Sequence, residues 1–140
     1  EFLFSSLVET STAAELAEKL RADVSPYWAV HYRFGKSAAN LSATALAASS
    51  LDALLINVAA PLRYAYLRQQ GTEDYRERSI EFLCGIKPEN NRLVRAFGKS
   101  LQPVDASESQ ALIQLYREYC ERRKCFFCRW GYRFLSLSAR

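Results

Sequence analysis

Apolar residues return every three to four positions along most of this chain, the spacing that lays one apolar stripe along a helix. Phe2, Leu3, Phe4, Leu7 and Val8 predict a short opening helix. Thr12 followed by Glu15 is a capping box, in which hydroxyl and carboxylate satisfy free N–H groups at a helix start. It predicts a helix with Leu16, Ala17 and Leu20 on one face and Glu18, Lys19 and Arg21 on the other. Ser25 and Pro26 predict another short helix, stopped by Gly35, because proline in a first turn gives up no hydrogen bond. The same stretch also alternates as a strand does: Trp28, Val30, Tyr32 and Phe34 against Tyr27, Ala29, His31 and Arg33. Both readings stay open. Residues 36–48 are small and polar with little period and predict a surface loop.

Ser49 through Asp52 form a second capping box, leading into the most apolar element, Leu51 to about Gln70, which Gly71 stops. Leu54, Leu55, Ile56, Val58, Leu62, Tyr66 and Leu67 cover most of its circumference, so this helix is expected to be central. Pro61 removes the hydrogen bond to the Asn57 carbonyl and predicts a kink, with the Asn57 side chain bonding nearby. Thr72, Glu73 and Asp74 open a helix with Tyr75, Phe82, Leu83 and Ile86 as its stripe. Pro88 opens another carrying Leu93, Val94 and Phe97, closed by Gly98. Ser107 to Gln110 is a third capping box, opening the last long helix with Leu112, Leu115, Tyr116 and Tyr119 inward and Glu118–Arg122 as an i,i+4 pair. The sum is an all-α fold: a compact bundle of five to seven mostly antiparallel helices with a kinked central helix, 1–140 forming one domain.

Composition adds limits. The 140 residues are 49% hydrophobic and 24% charged, the balance of an ordinary globular domain. No apolar run is long enough to span a bilayer, and no signal peptide is present, so no membrane partner is expected. Thiols beside Lys and Arg favour a reducing cytoplasm. The absence of methionine predicts that Glu1 is an internal position of a longer chain, of which this would be the C-terminal module. The net charge of +4 is uneven: seven cations against Glu118 and Glu121 fall between Arg117 and Arg140.

The candidate chemistry is concentrated there. Cys120, Cys125 and Cys128 follow the spacing C-x4-C-x2-C at the close of the last helix. Thiolates so spaced can converge on zinc or an iron–sulfur cluster, but both ordinarily take four ligands. Cys84 or His31 is a possible fourth. The plainer alternative makes the cysteines small buried hydrophobes among Phe126, Phe127, Trp130 and Tyr132. His31 is the single histidine, a ligand or base on one reading and a hydrogen-bonded packing residue on the other. Arg122, Arg123, Lys124 and Arg129, interleaved with aromatics, suit phosphate and unpaired bases; alternatively the aromatics are core and the cations a solvated rim. Residues 88–91 are read as a helix start rather than a recognition loop. No phosphate loop, nucleophile elbow or His–carboxylate pair occurs, so a catalytic site contained entirely within this chain is not expected.

The stretches YWAVHYRFGKSA, SSLDALLINVAAPLRYAY, DYRERSIEFLCGIKPENNRLVRAF and SQALIQLYREYCERRKCFFCRWG resemble the C-terminal part of a bacterial family known only as a domain of unknown function. The three tail cysteines match that family's ending, while Cys84 does not fall on its pattern. The resemblance implies a longer soluble protein with a β-rich upstream half, whose acidic motifs resemble a restriction-endonuclease-type core. A cysteine-bearing helical end beside such a core is similar to nucleases stabilised by an iron–sulfur cluster. No activity is implied.

The function expected is a non-catalytic helical structural or interaction module. It would support the upstream half of the same protein, dock a partner or form a homodimer. The alternatives are a metal- or cluster-stabilised nucleic-acid-binding module and a thiol redox sensor using Cys125 and Cys128.

Overall fold

The computed structural model describes residues 3–37, 46–98 and 101–138. The chain divides into two compact units, Glu1–Ile86 and Lys87–Arg140. The fold is helical: the described residues hold seven helical runs, a short 3-10 turn and one small hairpin.

In the first unit, α1 (Leu3–Glu9) is followed by α2 (Ala13–Leu20). Thr12 caps α2 by accepting from the Glu15 N–H at 3.2 Å, as its spacing predicts, while the Glu15 carboxylate lies 3.3 Å from Lys19 Nζ. Ala13 and Leu16 are buried, and Glu18, Lys19 and Arg21 are exposed, so the predicted faces hold. Residues 26–29 form a turn, and β1 (His31–Arg33) pairs antiparallel with β2 (Lys36–Ser37). The alternating reading prevails over the helical one here. A ring cluster explains it: Trp28 lies 4.9 Å from Phe34, and Tyr27 lies 6.1 Å from it. Gly35, at φ +71°, makes the tight turn that brings these rings together. The expected loop over 36–48 is corrected at both ends, because Lys36 and Ser37 are strand and Ala48 is helix; 38–45 lie outside the described residues.

The long apolar helix runs unbroken over 48–69, as α3 (Ala48–Leu54), a π-helical turn (Leu55–Ala59) and α4 (Ala60–Gln69). It starts before the box expected at Ser49 to Asp52, with Ala47 at the N-cap and both box residues inside the helix. The π turn ends two residues before Pro61, so the wider turn lies where the missing proline N–H and its ring would otherwise disturb the helical ladder. The side-chain amide of Asn57 donates to the Ala53 carbonyl at 3.0 Å, the local bond expected. The all-round burial does not hold. Leu51, Leu55, Ile56, Ala59, Ala60 and Arg63 are buried, whereas Leu54 and Val58 face solvent. The helix covers one side only. Gly71, at φ +71°, ends it: its N–H donates to Arg68 O, and that of Thr72 to Leu67 O, satisfying the last carbonyls. Tyr75–Cys84 (α5) packs against α4 through buried Phe82.

In the second unit, α6 (Arg92–Ala96) starts at Asn91, whose side chain accepts from the Val94 N–H at 3.0 Å. The helix therefore begins four residues beyond Pro88, where its start was expected. Residues 88–91 are a strap tied to the next helix, α7 (Ala106–Leu115). The Ser109 hydroxyl accepts from Glu89 N–H at 3.1 Å, and Gln110 donates to the Glu89 carboxylate at 2.7 Å. The cap of α7 is Asp105 rather than Ser107: Asp105 accepts from Glu108 N–H at 2.9 Å, and Glu108 accepts from Val104 N–H at 2.8 Å. Ala106, Ser109 and Ile113 form the buried face, with Leu112, Leu115 and Tyr116 at its margin.

Candidate functional site

The three tail cysteines do not close one helix, as their sequence context suggested. They mark a corner. Cys120 ends a π-helical turn (Tyr116–Cys120) that continues α7, Cys125 opens a 3-10 turn (Cys125–Phe127), and Cys128 precedes α8 (Arg129–Ser138). The reversal between them turns on Arg123, held at φ 52° with its N–H donating to Cys120 O at 3.1 Å. The following N–H, of Lys124, donates to Tyr119 O at 2.8 Å. This is the helix-stop geometry that glycine usually adopts, and an arginine there costs about 1 kcal/mol. Glu118 pairs with Arg122 at 3.0 Å, the i,i+4 contact the sequence predicts.

The second turn of the corner depends on Gly131. A Cβ on it would sit 2.6 Å from the Cys125 carbonyl oxygen and 3.0 Å from the Cys125 Cα. Only a residue without a side chain lets α8 approach the 3-10 turn this closely. Tyr132 N–H donates to Cys128 O at 2.8 Å, completing the join.

This corner brings Cys120, Cys125 and Cys128 to the lining of a single cavity of about 180 Å³, with Phe97, Leu115, Tyr119 and Trp130. All three thiols are unbridged. Cys120 is exposed as a residue, but partial burial of its thiol pushes its pKa up, and the neighbouring Cys128 and Cys125 push it further. Only Cys128 is buried. Among the described residues, no group of three or more His, Cys, Asp or Glu has an arrangement that holds a metal ion. The two suggested fourth ligands belong to the first unit. Cys84 ends α5, and His31 is held by packing, its ring stacked on Tyr27 at 4.1 Å and its Nδ1 2.8 Å from the Tyr27 carbonyl.

The aromatics beside the cysteines are not core. Phe126 is 74% exposed, Phe127 82%, Trp130 59%, Phe134 72% and Leu137 66%. The expectation of buried aromatics with a rim of cations is thereby overturned. Arg122, Arg123, Lys124, Arg129 and Arg133 are exposed as well, so rings and cations share one solvent-facing region of chain. The helix α8 was not foreseen, although Trp130, Phe134 and Leu137 stand at i, i+4 and i+7, which is a helical stripe.

The first unit holds a residue that the sequence reading passed over. Arg63 is buried, and its Nη1 donates to the carbonyls of Leu7 at 3.1 Å, Val8 at 3.3 Å and Thr10 at 2.7 Å. These oxygens lie at the end of α1, where the helix dipole favours a cation. The guanidinium carbon also sits 4.6 Å from the centre of the Phe82 ring. Burial lowers the Arg63 pKa. The signal was its register: Arg63 falls at i+4 from Ala59 and i+7 from Ile56, on the buried stripe. Arg63 borders a cleft of about 670 Å³ together with Thr10, Thr12, Asp74, Arg78 and Glu81. Two of those charges are paired across the cleft wall, Arg78 Nε donating to Asp74 at 2.9 Å, and this bond holds the Asp74 carboxyl below the usual range.

A helical protein with an aromatic and basic C-terminal corner, and no assembled reactive centre among its described residues, is the class these features define. The chain belongs to the family described as Protein of unknown function (DUF2851), whose profile matches residues 1–92. The cysteine corner lies beyond that match. No curated protein and no solved structure matches the chain.

Proposed function

We propose that this chain is a non-catalytic helical interaction module whose contact surface is the aromatic and basic corner of its C-terminal unit. One observation carries the reading: large apolar side chains of the corner stand in solvent while the unit keeps its own core of Val94, Ala106, Ile113 and Cys128. Isolated exposed apolar residues are ordinary, but several on adjoining turns mark a surface that meets something else. Unbridged thiols in this region suit a cytoplasmic setting, and membership of a domain-of-unknown-function family leaves the activity of the whole protein open.

The test is a hydrophobic-dye titration of the folded chain with Phe126, Phe127 and Phe134 replaced by serine. The reading expects unchanged helicity and melting temperature together with lost dye binding. Unfolding of the triple variant, or unchanged dye binding, would show that these rings belong to the core and would end the reading.

A second reading is favoured by the shared cavity of Cys120, Cys125 and Cys128. Three thiols lining one cavity suit thiol redox chemistry, and a soft metal ion would need them drawn closer together and a ligand from elsewhere. Elemental analysis of anaerobically purified protein distinguishes the metal. A thiol count with and without reductant distinguishes the redox sensor.

A further inference from the structure

We infer that the C-terminal unit binds an anionic lipid surface, with α8 lying in the headgroup layer and the rings of the 3-10 turn inserted beside it. The inference deepens the proposed contact surface by naming its partner, and so rests on that reading.

Three observations point to lipid. First, α8 is segregated by register. Trp130, Phe134 and Leu137 follow one another at i, i+4 and i+7, and Arg129 and Arg133 form the adjoining row. A helix with Trp, Phe and Leu on one side and arginines along its border is built to lie in a membrane interface, its cations reaching headgroups while its rings reach the acyl boundary. Secondly, Phe126 and Phe127 are among the most exposed apolar side chains of the described chain, and their turn is locked to α8 through the close approach of Gly131 to Cys125. Turn and helix therefore present a single preorganised body, and little ordering is left for binding to supply. Thirdly, the charge complements an acidic surface, since the exposed cations Arg122, Arg123, Lys124, Arg129 and Arg133 are interleaved with these rings along the chain.

A single-stranded nucleic acid would use the same cations, but it engages rings by stacking, one base to a face. Leu137, on the exposed stripe, supplies no such face, whereas hydrocarbon accepts aliphatic and aromatic side chains alike. The lipid reading uses the whole exposed stripe of α8, Trp130, Phe134 and Leu137. No described helix is long and apolar enough to cross a membrane, and a ten-residue helix lying on the surface gives reversible, salt-sensitive attachment.

The test is flotation of the 140-residue chain with phosphatidylserine–phosphatidylcholine vesicles, alongside pure phosphatidylcholine vesicles and a single-stranded oligonucleotide. Trp130 emission is followed in a Trp28→Phe background. The expected result is co-flotation with acidic vesicles only, a blue shift of Trp130 emission, and release by salt. Leu137→Asp or Phe127→Asp should each weaken the partition by about tenfold or more. Leu54→Asp, in the other unit, should leave it unchanged. Circular dichroism checks that each variant stays folded. Absence of flotation at low salt, an unshifted Trp130, or tight oligonucleotide binding in place of vesicle binding would overturn the inference. A positive dye titration would still leave the contact surface itself standing.

Discussion

Gly131 and Cys125 are in backbone contact, so close that a single added carbon on Gly131 would fall 2.6 Å from the Cys125 carbonyl oxygen. The contact joins the 3-10 turn to α8 and sets where the exposed rings stand. It also frames the cavity that the three cysteines line.

Gly131→Ala should therefore act on the corner and spare the rest of its unit. Because the obstacle is backbone, the turn must shift, at a cost of about 1–3 kcal/mol. Amide hydrogen exchange should rise across 125–138 and stay level across 106–113. Uniform exchange in the variant would show that the close approach carries no weight.

The buried guanidinium of Arg63 gathers the end of α1 onto α4. Arg63→Met keeps much of the side-chain volume but leaves the Leu7, Val8 and Thr10 carbonyls without their donor. A loss of about 2–4 kcal/mol in unfolding free energy is expected. Arg63→Lys should recover only part, because an ammonium cannot reproduce a planar fork stacked on Phe82. Chemical denaturation of the three proteins checks the order.

The start of α7 separates two readings of one stretch. Asp105→Ala removes the observed cap and should cost about 0.5–2 kcal/mol, whereas Ser107→Ala should be near neutral. Equal losses would place the cap where the capping-box pattern first suggested.

That stretch shows how far the sequence carries. Helical periods identified nearly every helix of the described chain, because burying one stripe is what most of these segments do. Their ends were less legible: Ser107–Gln110 and Asp105–Glu108 both have a short polar residue three positions before a second one, and only folded geometry selects between them. Leu54 and Val58 read as core because composition cannot tell a helix wrapped on all sides from one with a bare flank. The same ambiguity holds in the tail. The chemistry of Phe126, Phe127 and Trp130 suits a core as well as a surface, and a corner built on Arg123 and Gly131 turns them out. The cysteines were legible as a cluster, and the cavity they share was not, since Cys120 and Cys128 meet across two turns rather than along one helix.

The thiol of Cys120 gives a pH-dependent handle. Burial and then the neighbouring Cys128 and Cys125 raise its pKa, so the folded state favours the neutral thiol. The sign follows: this contribution to stability is complete below the unfolded-state pKa and is lost as pH rises through the higher folded value. Alkylation of Cys120, followed by mass spectrometry, should need a higher pH in the folded chain than in urea. Replacing Cys125 and Cys128 by serine removes two of the three causes and should bring the folded midpoint down. An unchanged midpoint would separate the three thiols.

The central claim is that aromatic side chains of a folded corner stand in water. Hydroxyl-radical footprinting of the native 140-residue chain measures this directly, residue by residue. The account predicts fast oxidation of Phe126, Phe127 and Trp130 against slow oxidation of buried Phe82. Protection of those three rings to the level of Phe82 would contradict it.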